Sequence, residues 1–148
     1  YPPKGVRGAG AVRANMFFTQ AAEYFEFEES EILRIVQIEN KEAVENIDEI
    51  LEVEGIDVAF IGPYDLSFSL GVRGDIMHEK VQVAIAEVVE ACKRHGVAAG
   101  IMTNDKQMVD HLKMGIKFII YGIEALTLSN AAKGQVEMFD EAMEDSKN

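Results

Sequence analysis

Two acidic side chains, Glu39 and Asp65, each stand just past a short apolar run. The first run is Ile32-Leu-Arg-Ile-Val-Gln-Ile38. The second, Asp57-Val-Ala-Phe-Ile61, is closed by Gly62-Pro63-Tyr64-Asp65. Both runs are short and rich in β-branched residues, as buried strands are. Alternation along a strand puts Gln37 and Glu39 on one side. If the two strands are neighbours, Glu39 and Asp65 converge on one point. Two unpaired carboxylates there would repel, and one would take up a proton. A hard divalent cation removes that conflict. An oxygen-only donor set favours Mg²⁺ or Mn²⁺, with water and substrate in the remaining positions. The plainer alternative is that Glu39 caps the next helix and Asp65 closes a turn.

The other reactive side chains have simpler readings. His78 precedes or starts a helix. His95 falls at a helix end, where a cation suits the dipole. His111 is expected on a polar helix face beside Asp110. Cys92 sits on an apolar stripe and reads as core. A Schiff-base mechanism needs a desolvated lysine inside the fold. Lys117 is at the wrong end of its strand, and Lys41 and Lys106 begin helices. Arg7 either points into a site from its Gly-rich loop or holds that loop.

The elements that must position these groups follow a regular punctuation. The opening Tyr1-Pro-Pro-Lys-Gly-Val-Arg-Gly-Ala-Gly10 reads as a loop. Residues 11–24 are weakly helical, and 26–31, with four glutamates, read as a solvated connection. Strands are expected at 32–38, 57–61, 97–102 and 118–121. Helices are expected at 41–53, 79–95, 104–114 and 124–144, with a Gly-containing loop at 66–77. Asn40 caps the first helix, and Asn104 with Gln107 resembles a capping box. Val44, Ile47 and Leu51 share one face; Val81, Ile85, Val88, Val89 and Cys92 share another; Met108 and Leu112 are expected to face inward. Gly55, Gly96 and Gly115 end helices.

Four strand–helix repeats mean parallel strands with helical crossovers. The architecture is α/β, either a doubly wound open sheet or part of a (β/α)8 barrel. No G-x-G-x-x-G joins a strand to a helix, which weakens a dinucleotide-binding reading. A complete barrel needs about 250 residues, so four units in 148 residues read as its second half: one partial-barrel domain over 1–148 lacking the N-terminal strands. In such folds ligands collect at the carboxyl ends of the strands. Those ends are Gln37-Ile38-Glu39, Gly62 to Asp65, Met102-Thr103-Asn104 and Tyr121-Gly122.

Composition bounds the partners. Lys plus Arg total 14 against 26 Asp plus Glu, a net charge of −12. So acidic a chain is a poor ligand for nucleic acid or anionic membranes. One cysteine excludes an internal disulfide and fits a reducing, cytoplasmic setting. No apolar run reaches membrane-spanning length, and no secretion leader is visible. The chain starts at Tyr1 rather than Met, which reads as processing or as a piece of something longer.

Several strings then take on meaning together. Val36-Gln-Ile-Glu-Asn40, Val53-Glu-Gly-Ile-Asp57 and Phe60-Ile-Gly-Pro-Tyr-Asp-Leu-Ser67 resemble the HpcH/HpaI aldolase family, class II enzymes that release pyruvate. Tyr1-Pro-Pro-Lys-Gly-Val-Arg-Gly8 is similar to that family's Y-P-P-x-G-x-R-G segment. Ala99-Gly-Ile101 and Tyr121-Gly-Ile123 fall where it places its seventh and eighth strands. The resemblance covers nearly the whole chain.

It implies a barrel of the phosphoenolpyruvate/pyruvate type with Glu39 and Asp65 as ligands of a divalent metal (Mg²⁺ or Mn²⁺, with Co²⁺ an option). It implies Gln37, Tyr64 through its backbone, and Asp65 on the substrate, and Met102 by the aldehyde pocket. The catalytic histidine and enolate-bracing arginine would lie upstream of Tyr1, so no catalytic residue is expected in this chain. The implied substrate is a small 2-oxo acid, and the implied assembly a homo-oligomer, with Val136, Met138 and Phe139 as interface. Two other readings stay open: a non-catalytic half-barrel acting as an assembly module, and a lyase of citramalyl or malyl thioesters.

Overall fold

A computed structural model describes residues 1–3, 5–104 and 106–146. Lys4 of the opening motif and Asp105 of the expected helix 104–114 lie outside the described residues. The chain divides into two compact units, Tyr1–Arg34 and Ile35–Asn148.

In the first unit, residues 13–18 contain a left-handed turn, with φ of 49°, 54° and 73° at Met16, Phe17 and Phe18. The buried Asn15 holds it: its Oδ1 accepts from the Val12 and Phe18 N–H groups, both at 3.1 Å, and its Nδ2 donates to Gly10 O at 2.8 Å. Helix α1, Ala21–Ser30, follows. The glutamates of 26–31 thus belong mostly to a helix rather than a connection, because glutamate is a good helix former. Arg34 ties its guanidinium back to Glu28 O at 2.5 Å and Glu28 Oε1 at 3.2 Å. The Arg7 guanidinium sits 5.3 Å from the Tyr1 ring centroid, a cation–π contact.

The second unit carries the alternation: β1 (Ile35–Ile38), α2 (Lys41–Glu45), α3 (Ile47–Leu51), β2 (Val58–Ile61), α4 (Pro63–Ser69), α5 (Glu79–His95), β3 (Ala98–Thr103), α6 (Met108–Met114), β4 (Phe118–Tyr121) and α7 (Glu124–Asp145). The sheet order is β1-β2-β3-β4, all neighbours parallel. Consecutive parallel βα units in chain order are the arrangement of part of a (β/α)8 barrel, not of an open sheet with a switch in strand order.

Strand alternation sorts the side chains. Ile38, Ile61 and Ile101 face the helices and are fully buried. Against them α5 packs Val81, Ile85, Val88, Val89 and Cys92, the expected stripe. Full burial of one such side chain is worth about 1.5–3 kcal/mol, so this helix anchors the sheet. Burial also pushes the Cys92 thiol up to about 11, as expected of a core cysteine. On the other face Gln37, Phe60, Gly100 and Phe118 stand in one register row. Gly100 leaves room for Phe60 and Phe118 to meet edge to face at 6.2 Å. A Cβ there would lie 3.1 Å from each ring and 2.9 Å from Val58 Cγ1.

In this unit four elements differ from expectation by more than one residue. The first strand is shorter, Ile35–Ile38. The helix expected over 41–53 is two short ones, broken at Asn46, where φ is −104° and ψ 19°. Val44, Ile47 and Leu51 are nevertheless all buried, and Asn40 Oδ1 caps Ala43 N–H at 2.8 Å. The stretch 66–77 begins inside a helix, α4, since Pro63 fits a first helical position and buried Leu66 anchors the turn. Helix α6 starts at Met108, and it is His111, not Leu112, that turns inward.

Candidate functional site

The carboxyl ends of the strands open into a cleft of about 710 Å³. Gln37 reaches it from β1. Phe60 to Asp65 form its wall from β2 into α4. Met102, Thr103, Asn104, Lys106 and Gln107 line it from β3 and the turn before α6. Tyr121, Gly122 and Ile123 contribute from β4, Leu126, Thr127 and Asn130 from α7, and Ile76 from the α4–α5 loop.

Gln37 and Glu39 meet as alternation requires. Gln37 Nε2 donates to Glu39 Oε2 at 2.7 Å. Gly62 makes the space for them: a Cβ there would lie 3.0 Å from Glu39 Cβ, 3.2 Å from Gln37 Nε2 and 3.3 Å from Glu39 Oε2. The ladder continues into this corner through Gly62 N–H to Ile38 O at 2.9 Å. Three residues on, Asp65 stands in the first turn of α4, where a helix N-terminus favours negative charge. Pro63 has no N–H and Leu66 N–H is taken by Gly62 O at 3.0 Å. Tyr64 and Asp65 therefore carry the first backbone donors without intrahelical acceptors.

Tyr64 lines the cleft and stays 62 % exposed, with one side of its ring packed. Its ring lies 5.2 Å from that of Phe68, and Gly74, at φ +85°, passes close beneath it. Ser67 fastens the same loop, donating to Tyr64 O at 2.5 Å and accepting Gly74 N–H at 2.6 Å. Met102 is exposed to the cleft.

The donor set suits a hard cation. Among the described residues neither Glu39 nor Asp65 has an ion-pair partner. Among the same residues no three acidic, histidine or cysteine side chains cluster. Two carboxylate donors, with the remaining positions left to water and substrate, form a set that Mg²⁺ commonly accepts.

The remaining candidates lie elsewhere. His78 caps α5, its Nδ1 accepting from Lys80 N–H at 3.2 Å. His95 Nε2 meets Asp48 Oδ1 at 2.8 Å beside the Arg94 guanidinium. Those two partners, Arg94 first, hold the Asp48 carboxyl below its ordinary pKa. Lys41 pairs with Glu45 at 3.2 Å. His111 departs from expectation: it is 5 % exposed and hydrogen-bonded to Thr103, not on a polar face.

Ile76, Leu126, Thr127 and Asn130 line the cleft without having been singled out in the sequence, and Lys106 and Gln107, read there only as helix-opening residues, line it too. Ile76 arrives on a loop with no apolar period, and Thr127 and Asn130 sit in a helix whose pattern reports only its other face.

The family model described as HpcH/HpaI aldolase/citrate lyase matches residues 1–131. A 4-hydroxy-2-oxo-heptane-1,7-dioate aldolase of Escherichia coli is 35 % identical over 141 residues, 94 % of this chain and 54 % of that protein. A hydroxypyruvate/pyruvate aldolase of Pseudomonas aeruginosa is 37 % identical over 135 residues, 90 % of this chain and 50 % of its own length. The crystal structure of an HpcH/HpaI aldolase/citrate lyase family protein from Burkholderia cenocepacia J2315 superposes with a TM-score of 0.82 at 34 % identity, covering 93 % of this chain and 54 % of that one. The chain thus spans about half the length of the relatives it matches.

Proposed function

The chain belongs to the HpcH/HpaI aldolase/citrate lyase family, and on that footing we propose that it carries the metal- and pyruvate-binding corner of a class II aldolase. The reaction is cleavage of a 4-hydroxy-2-oxo acid to pyruvate and an aldehyde. Substrates of the kind named for its Escherichia coli relative, 4-hydroxy-2-oxoheptanedioate, or 2-dehydro-3-deoxyglucarate fit that class. The observation that carries the reading is the Gln37–Glu39 pair held against Gly62 at the strand ends, with Asp65 lining the same cleft as Gln37 and Gly62.

Glu39 and Asp65 would hold Mg²⁺, Mn²⁺ or Co²⁺. Such an ion, when bound, supplies Lewis-acid stabilisation of the negative charge that develops on the 2-oxo oxygen. Gln37 fixes the Glu39 carboxylate and faces the substrate. The N–H groups of Tyr64 and Asp65 bind the substrate carboxylate, so the Tyr64 side chain is free to pack against Phe68. Met102 borders the aldehyde half.

Cleavage also needs a base for the 4-hydroxyl proton and a cation to brace the enolate. His78, His95 and His111 are engaged away from the cleft. The reading therefore takes both groups from the part of the relatives' length that this chain does not span. The exposed apolar face of α7 supports a homo-oligomer.

Pyruvate release from a 4-hydroxy-2-oxo acid, with Mn²⁺ or Mg²⁺ titrated in, tests the proposal. Glu39→Ala should abolish both metal uptake and turnover. An unchanged rate in that variant sinks the metal assignment.

A further inference from the structure

Met102 and Thr103 are neighbours in β3, and alternation sends them to opposite faces. Both residues border the cleft, but Met102 is 39 % exposed there, whereas the Thr103 side chain is 5 % exposed and turned toward α6. There His111 Nδ1 lies 2.8 Å from Thr103 Oγ1. Both side chains are buried, and each meets the other's need for a partner, which burial makes costly to leave unmet. Packing alone would not call for this residue: Leu112, next along α6, is left 54 % exposed while the histidine goes inside.

A second set of bonds joins the same strand end to the same helix. Asn104 Oδ1 accepts from the N–H groups of Lys106 at 3.0 Å and Gln107 at 3.3 Å. Asn104 Nδ2 donates to Gln107 Oε1 at 2.9 Å, and Gln107 O accepts His111 N–H at 3.0 Å. Gln107 Nε2 then reaches Met77 Sδ at 2.9 Å, on the loop that carries Ile76 into the cleft. The β3 wall of the cleft is thus tied to α6 by two sets of bonds, the buried Thr103–His111 pair and the Asn104–Gln107 network.

We infer that His111 is a positioning residue which, through Thr103, sets the placement of Met102 and the Asn104–Gln107 turn and so governs selection of the aldehyde half of the substrate. The inference rests on the aldolase reading above. The pyruvate half is handled on β1, β2 and α4, so the two halves separate in kinetics.

The test compares Thr103→Val, Thr103→Ser, His111→Leu and His111→Asn in the full-length protein. Aldol addition of pyruvate is run with glycolaldehyde and with butanal. Thr103→Val and His111→Leu should change the ratio of kcat/KM for the two aldehydes by about 5–10-fold, the worth of one hydrogen bond. The KM for pyruvate should hold. The double variant should show no further change, because both substitutions cut one bond. Thr103→Ser and His111→Asn should restore the ratio. An unaltered ratio in folded Thr103→Val overturns the inference, and that near-isosteric variant carries the test if His111→Leu does not fold.

Absence of turnover in the unsubstituted protein would instead sink the aldolase reading. The positioning role is then read from the ¹³C-methyl NMR signal of Met102, which Thr103→Val should shift while Met143 stays put. A Met102 signal that does not move overturns it.

Discussion

Gln37 Nε2 donates to Glu39 Oε2 across 2.7 Å, two residues apart on one face of a single strand end. If Glu39 is a metal ligand as proposed, this bond would orient its carboxylate and leave the other oxygen for the cation. Partners that orient a metal ligand in this way typically contribute about 10–100-fold to affinity. Gln37→Leu should weaken Mn²⁺ binding by that amount in calorimetry, with the melting temperature nearly unchanged. Undiminished binding would remove Gln37 from the site.

Gly62 faces that pair with no side chain. Its φ of −100° is open to any residue, so the effect of Gly62→Ala comes from crowding alone. The new Cβ would sit 3.0 Å from Glu39 Cβ and 3.3 Å from its Oε2, displacing the carboxylate. Metal binding should fall at least as far as in Gln37→Leu, while far-ultraviolet circular dichroism stays native.

Burial lowers the pKa of His111 below its ordinary value of 6.5, with Asp110 opposing the shift. The unfolded chain then binds the extra proton first as pH falls. Its contribution to stability is therefore intact above about pH 6.5 and is lost progressively beneath it. Asp48 acts in a lower window: its carboxyl is depressed by Arg94 and His95, so its contribution is lost only as pH falls below the ordinary 3.8. Urea midpoints taken between pH 7 and pH 5 should decline, and His111→Asn should flatten that slope. Parallel slopes would contradict the burial argument.

Helix α7 buries none of its residues, and Leu128, Val136, Phe139 and Met143 lie along one side of it. An apolar stripe of this kind would serve the homo-oligomer proposed above. Phe139→Glu should weaken self-association about tenfold or more in sedimentation, a typical cost at a central aromatic contact. An unaffected sedimentation coefficient would place any interface elsewhere.

The alternation of apolar runs and glycine stops was enough to expect four parallel βα units, the α5 stripe from Val81 to Cys92, and the side of the strand on which Gln37 joins Glu39. These rest on periods of two and 3.6 residues, which are local properties of the chain. Boundaries were less legible: Asn46 breaks one expected helix, and Pro63 opens another that runs into the loop expected at 66–77.

The inward turn of His111 was beyond that reading, because its sequence neighbours Asp110 and Lys113 are charged and nothing local distinguishes Leu112 as the exposed neighbour. Thr103 supplies the reason from a different strand. Likewise, the approach of Gly62 to Glu39 depends on the pairing of β1 with β2, 23 residues apart at each step of their register. Short-range periodicity tells a side chain which face to take. Contacts made between separate segments tell it what it will meet there, and a buried hydrogen bond exists only once both segments have arrived.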